Sequence, residues 1–199
     1  MSTSSPLLDL QWAQLAHDEH YHKDVVILPL SERVKHMALH MAKYVGYLAE
    51  ENNGGDPHRV TRILTDAFII TLATANTLNQ DLGRDLGEVE SDGADLKRLG
   101  RALATSILLN EAGNAGDLLR PFARHAGALA KACESLDHME AIPFRDAMRT
   151  SNLALFKLVV AAAAARDLDL AVLYQARLRV VEERSIFDAH LRALVMAGQ

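Results

Sequence analysis

Two stretches of this chain read as diverged copies of one helical hairpin, and that repeat constrains the fold more than any other feature. The first contains Lys43-Tyr44-Val45-Gly46-Tyr47-Leu48-Ala49-Glu50, followed by a helix carrying Asp66 and closing at Asp81-Leu82. The second contains Arg124-His125-Ala126-Gly127-Ala128-Leu129-Ala130-Lys131, followed by a helix carrying Asn152 and closing at Asp167-Leu168. Both contain Gly-x-Leu-Ala, and the same interval separates Asp66 from Asp81 and Asn152 from Asp167. In that register Leu72 matches Leu158 and Ala75 matches Ala161. In the preceding helices Ala42 matches Ala123 and Leu48 matches Leu129, and the small shift between the two registers falls in interhelical loops, where insertion costs little.

Hydrophobic spacing makes the chain all-α. Val34, Met37, Ala38, Met41, Val45 and Leu48 recur at helical intervals, and no segment sustains two-residue alternation. The residues are 49% hydrophobic but only 5% aromatic, a balance that suits close helix packing better than a sheet. Ser31 stands as an N-cap before Glu32, and Asp56-Pro57 opens the next helix. That helix, from about His58 to Gln80, is apolar on most faces and belongs at the centre of a bundle. Asp81 to Gly93 reads as a loop dividing a first unit, residues 1–90, from a second, residues 91–199. Further helices are expected over about Ala94–Ala112, Asp117–Glu134, Pro143–Arg166 and Leu168–Met196.

The formal charge of −5 gives no electrostatic reason to expect nucleic-acid binding. A single cysteine, Cys133, excludes an intrachain disulfide and reads as structural. The longest apolar run, Leu153 to Ala165, is 13 residues with Lys157 inside it, short of the roughly 20 that span a membrane. The expectation is a soluble cytoplasmic protein, with a homodimer open.

Each hairpin resembles the MazG-like all-α nucleoside-triphosphate pyrophosphohydrolases, a group that includes the dimeric dUTPases. Their core helix reads roughly E-E-x-G-E-L-A-E, the next carries E-x-x-D, and a Gly-Ile-Asp-Leu-like ending follows. Lys43 to Glu50 matches the Gly-x-Leu-Ala-Glu frame, Ile63-Leu64-Thr65-Asp66 occupies the E-x-x-D place, and Asn79-Gln80-Asp81-Leu82 fits the ending. The resemblance implies a bundle of two hairpins in tandem and, for active members, carboxylates holding Mg²⁺. Here Tyr44, Tyr47 and Ile63 replace the glutamates of the first hairpin, and only Asp66 remains. The second hairpin has His125, Ala128, Arg149 and Asn152 at the same places. The expectation is a catalytically impaired homologue, with no catalytic residue assigned, that retains nucleotide binding at Lys43, Tyr44, Tyr47 and Asp66. The rivals are a helical interaction or dimerisation protein without a small ligand, and an active hydrolase with a rearranged histidine site.

His36 and His40, at i and i+4, share a helix face and suit zinc, with Asp66 as a further ligand. His17, His20 and His22 form a second cluster, and no sequence rule brings the two together. Lys43, His36, His40 or a tyrosine hydroxyl are the expected partners of Asp66. Gly46 and Gly127, with Ala161 to Ala165, are expected to let helices approach closely, and Arg177, Arg179, Arg184 and Arg192 to form a solvated face.

Overall fold

The computed structural model describes residues 6–51, 56–87, 95–112 and 118–185. Among them are nine helices and no strand: α1 (Pro6–Tyr21), α2 (Lys23–Val26), α3 (Leu30–Glu51), α4 (Pro57–Leu78), α5 (Leu82–Leu86), α6 (Leu96–Ala112), α7 (Leu119–Asp137), α8 (Phe144–Ala164) and α9 (Leu170–Arg184). The all-α expectation holds. Helices α3 and α4 pack on each other, as do α7 and α8, and the pairs meet through α3 against α7 and α4 against α8. Helix α6 covers α8, while α1 and α9 cover α4. One buried apolar cluster runs from Leu7 through Phe68 and Phe156 to Tyr174, so both halves contribute to a single core.

The elements start and stop for local reasons. Asp56 caps α4 by accepting from the His58 N–H at 2.9 Å, with Pro57 at the first turn. Asn79, at φ 51°, ends α4, and the Gln80 N–H returns to the Ala75 carbonyl at 2.8 Å. The same turn ends α8. Asp167 has φ 54°, and the Leu168 N–H returns to the Ala163 carbonyl at 3.0 Å. Two residues after each left-handed position an aspartate caps the next helix, Asp81 for α5 and Asp169 for α9. Asp81-Leu82 and Asp169-Leu170 thus follow turns of the same local geometry, with Leu82 and Leu170 both buried. Between α4 and α8 the Phe68 and Phe156 rings meet at 5.9 Å between centroids.

Several local expectations are corrected. Helix α3 begins at Leu30, with the Arg33 N–H bonded to the Pro29 carbonyl, so Ser31 lies inside the first turn rather than capping it. The segment after Asp81 opens with α5 instead of a plain loop; the rest of that loop, with the 90/91 boundary, lies outside the described residues. Beyond Ser185, the expected continuation of the last helix does too. A Cβ added at Gly46 or Gly127 would meet nothing within 4 Å, so neither glycine mediates helix contact. Gly100 of α6 does mediate a close helix contact. A Cβ there would meet the Ala164 Cβ at 2.5 Å and the Val160 carbonyl oxygen at 2.6 Å. Helix α8 is the one described helix long and apolar enough to cross a membrane, and 61% of its most apolar stretch is buried inside the bundle.

Candidate functional site

Helix α1 positions the site through an unusual inward face. Its buried residues are Leu7, Gln11, Gln14 and His17, while Trp12 is 63% exposed. Polar groups carry most of the inward helical period, with Leu7 buried in the core and the half-buried Leu10 packed against it. Gln11 docks this helix on the end of α4. Its amide donates to the Gln80 carbonyl at 2.7 Å, and its side-chain oxygen accepts from the Leu82 N–H at 3.0 Å. Asn76 donates to the Gln11 carbonyl at 2.8 Å.

Above this anchor, α1, α2, α3, α4 and α9 enclose a cavity of about 230 Å³. Its walls bring the two histidine clusters together: His17 and His22 from the first, His36 and His40 from the second, with Lys43, Tyr44 and Asp66 beside them. Met37, Ile69, Ile70, Leu178 and Val181 give it an apolar side, and Arg33 and Arg177 add cations. A larger, more open depression of about 690 Å³ lies by Trp12, Arg84 and Arg149. There the polar groups are engaged with one another: Gln80 donates to Asp85 at 2.9 Å and to the Arg149 carbonyl at 3.0 Å.

Asp66 is held by Arg177. The Arg177 Nε donates to Oδ1 at 2.6 Å and a terminal nitrogen donates to Oδ2 at 3.2 Å, a two-pronged pair suited to guanidinium geometry. The bond to Asp66 raises the Arg177 pKa above its ordinary value. Arg177 is therefore not part of a solvated face, and none of the partners expected for Asp66 is the one it takes. With both carboxylate oxygens in the fork, Asp66 offers a metal little. The only other carboxylate on the described cavity wall is Asp18.

His36 and His40 do come together, with their Nε2 atoms 3.2 Å apart and one donating to the other. Lys43 Nζ stands 3.1 Å from His40 Nδ1. Burial, reinforced by Lys43 and His36, lowers the His40 pKa to about 4. Tyr44 is buried, its hydroxyl 3.5 Å from His40 Nδ1, and burial raises its pKa. Tyr47 departs from the expected site. It is 36% exposed and packs under the Arg59 guanidinium at 5.2 Å, away from the cavity wall.

The remaining positions of the resemblance have structural work. Ile63 is buried in the core. Arg149 donates to the Asn79 carbonyl, and buried Asn152 donates to Gln80 Oε1 at 2.9 Å and to the Thr71 carbonyl at 3.1 Å. Ala128 is exposed and His125 half-buried. Burial raises the Cys133 pKa to about 11, in keeping with a structural thiol. Comparison with protein families, curated proteins and solved structures finds no match for this chain.

Proposed function

We propose that this chain is a diverged MazG-like helical bundle that binds a small anionic, nucleotide-like molecule without hydrolysing it through Mg²⁺. The observation that carries this reading is the cavity beside Asp66, whose carboxylate is closed off by Arg177. A hard cation that bridges phosphates needs several free oxygen ligands, and this wall has an engaged Asp66 and a distant-in-sequence Asp18. Binding needs less. Lys43, Arg33 and the imidazoles supply donors for an anion, while Met37, Ile69, Ile70 and Leu178 supply an apolar wall for a ring. The packing of α3–α4 on α7–α8, the matching turns at Asn79 and Asp167 and the Phe68–Phe156 contact favour a tandem hairpin with an approximate two-fold relation.

A thermal-shift series with nucleoside mono-, di- and triphosphates, in chelator and then in Mg²⁺, tests the proposal. At a ligand concentration of 100 times Kd, binding adds about 2.7 kcal/mol, or roughly 5–10 °C for a chain this size. The expected shift appears in chelator and shrinks in Lys43→Ala. No shift with any nucleotide would remove the binding reading and leave the bundle as an interaction surface. Mg²⁺-dependent pyrophosphate release that disappears in Asp66→Ala would reinstate an active hydrolase.

A further inference from the structure

The end of the cavity nearest α2 holds a histidine whose ring packs on Tyr21 and His22 while its ring nitrogens stay unpaired. His17 is 7% exposed, and neither ring nitrogen has a hydrogen-bond partner. A buried imidazole left this way forfeits bonds that water would have given it. Carboxylates stand on both sides without closing: Asp18 Oδ1 is 3.9 Å from Nδ1, and Glu182 Oε1 is 3.8 Å from Nε2. His22 completes the group. One ligand atom each from His17, Asp18 and His22 lies within 4.8 Å of the others, and all three residues line the cavity. The chain makes this possible by breaking between α1 and α2 at His22, whose N–H still bonds the Asp18 carbonyl at 2.8 Å. The break folds His22 back over the last turn of α1.

We propose that His17, Asp18 and His22 form a binding site for a zinc-class divalent transition metal. Two imidazoles and one carboxylate are a donor set that suits zinc and its neighbours better than magnesium or calcium. Bonds of about 2.0–2.2 Å around a tetrahedral ion put ligand atoms roughly 3.3–3.5 Å apart, so the group closes by side-chain rotation rather than by moving helices. Groups suited to orient the ligands are in place. Gln14 donates to Asp18 Oδ1 at 2.7 Å, and Glu182 faces the His17 nitrogen opposite Asp18, where an outer carboxylate fixes a ligating imidazole. Three protein ligands leave a fourth position open to the cavity, the arrangement of sites that bind a water or a ligand. His36 and His40 are not needed, because they already satisfy each other at 3.2 Å. This site does not rest on the nucleotide reading, whose test is run in chelator.

The test uses the tag-free 199-residue chain, stripped with chelator and titrated with Zn²⁺ by calorimetry and with Co²⁺ by visible absorption. The wild type is expected to take one equivalent, with the intense visible bands of tetrahedral Co²⁺. His22→Ala and Asp18→Asn are expected to weaken binding beyond the roughly 10–100-fold that loss of an outer partner costs. Gln14→Ala should stay within that range, and the double variant His36→Ala, His40→Ala should bind as wild type. Because His17 is buried, His17→Ala is read only if circular dichroism shows native helix content; His22 and Asp18 are less buried and carry the test without it. No bound metal, unchanged affinity in both His22→Ala and Asp18→Asn, or loss confined to the His36, His40 double variant would overturn the proposal.

Discussion

At the scale of single residues, the cavity is governed by how buried polar groups find partners. Asp66 and Arg177 come from α4 and α9, and no helical spacing links them. Their pairing neutralises the one carboxylate that the hydrolase resemblance retains. His40 shows the opposite situation. Burial, then Lys43 and His36, hold its pKa at about 4, against an ordinary value of about 6.5. Between those values the unfolded chain binds more protons than the folded one, so stability falls as pH drops through that window. By pH 5 the loss attributable to His40 is about 2 kcal/mol, from about 1.4 kcal/mol for each tenfold change in protonation. Urea midpoints of the wild type and His40→Gln, compared in chelator at pH 7.5 and pH 5, are expected to show a shallower acid decline in the variant. Parallel declines would show that His40 does not titrate in this way.

At the scale of elements, glycines separate what a helix allows from what its neighbours allow. Gly46 and Gly127 sit on exposed faces of α3 and α7 with open space around them. Alanine at either position is expected to stabilise the protein by about 0.5–1 kcal/mol through helix propensity alone. Gly100 has the same propensity argument and the opposite outcome, because its Cβ would strike the backbone of Val160 and the Ala164 methyl group. A backbone carbonyl cannot rotate away, so Gly100→Ala is expected to destabilise by about 1–3 kcal/mol. Chemical denaturation of the three single variants checks both signs, and a stabilising Gly100→Ala would show that α6 shifts freely on α8.

At the scale of the whole molecule, α1 decides whether the cavity exists. Its contact with the rest is made largely by polar groups, with Gln11 bridging the Gln80 carbonyl and the Leu82 N–H while Asn76 holds its backbone. Asn152 continues the network into α8 through Gln80. Gln11→Ala leaves the Leu82 N–H and the Gln80 carbonyl, both buried, without these partners. The expected cost is about 1–3 kcal/mol. Hydrogen exchange in α1 should quicken well before the rest of the bundle does, since detaching this helix opens one wall and takes only Leu7 and the half-buried Leu10 away from the core. Uniform acceleration across all helices would instead mean that α1 and the bundle unfold together.

The all-α class, most helix positions and the central placement of α4 are legible in the sequence, because apolar periodicity and caps such as Asp56 act over a few residues. The shared Gly-x-Leu-Ala of the two stretches is visible as well, but which turns are alike is not. Aspartates recur at both Asp167 and Asp169, and only the structure shows that Asp167 takes the left-handed turn while Asp169 caps α9 as Asp81 caps α5. The site is legible in part. Lys43, Tyr44 and Asp66 share the cavity wall, whereas Tyr47 lies one turn on and falls outside it. Tertiary structure alone joins His17 and His22 to His36 and His40, turns a polar face of α1 inward and delivers Arg177 to Asp66. Those pairings connect residues far apart in sequence, and their energies depend on distance and burial, which helical periodicity does not encode.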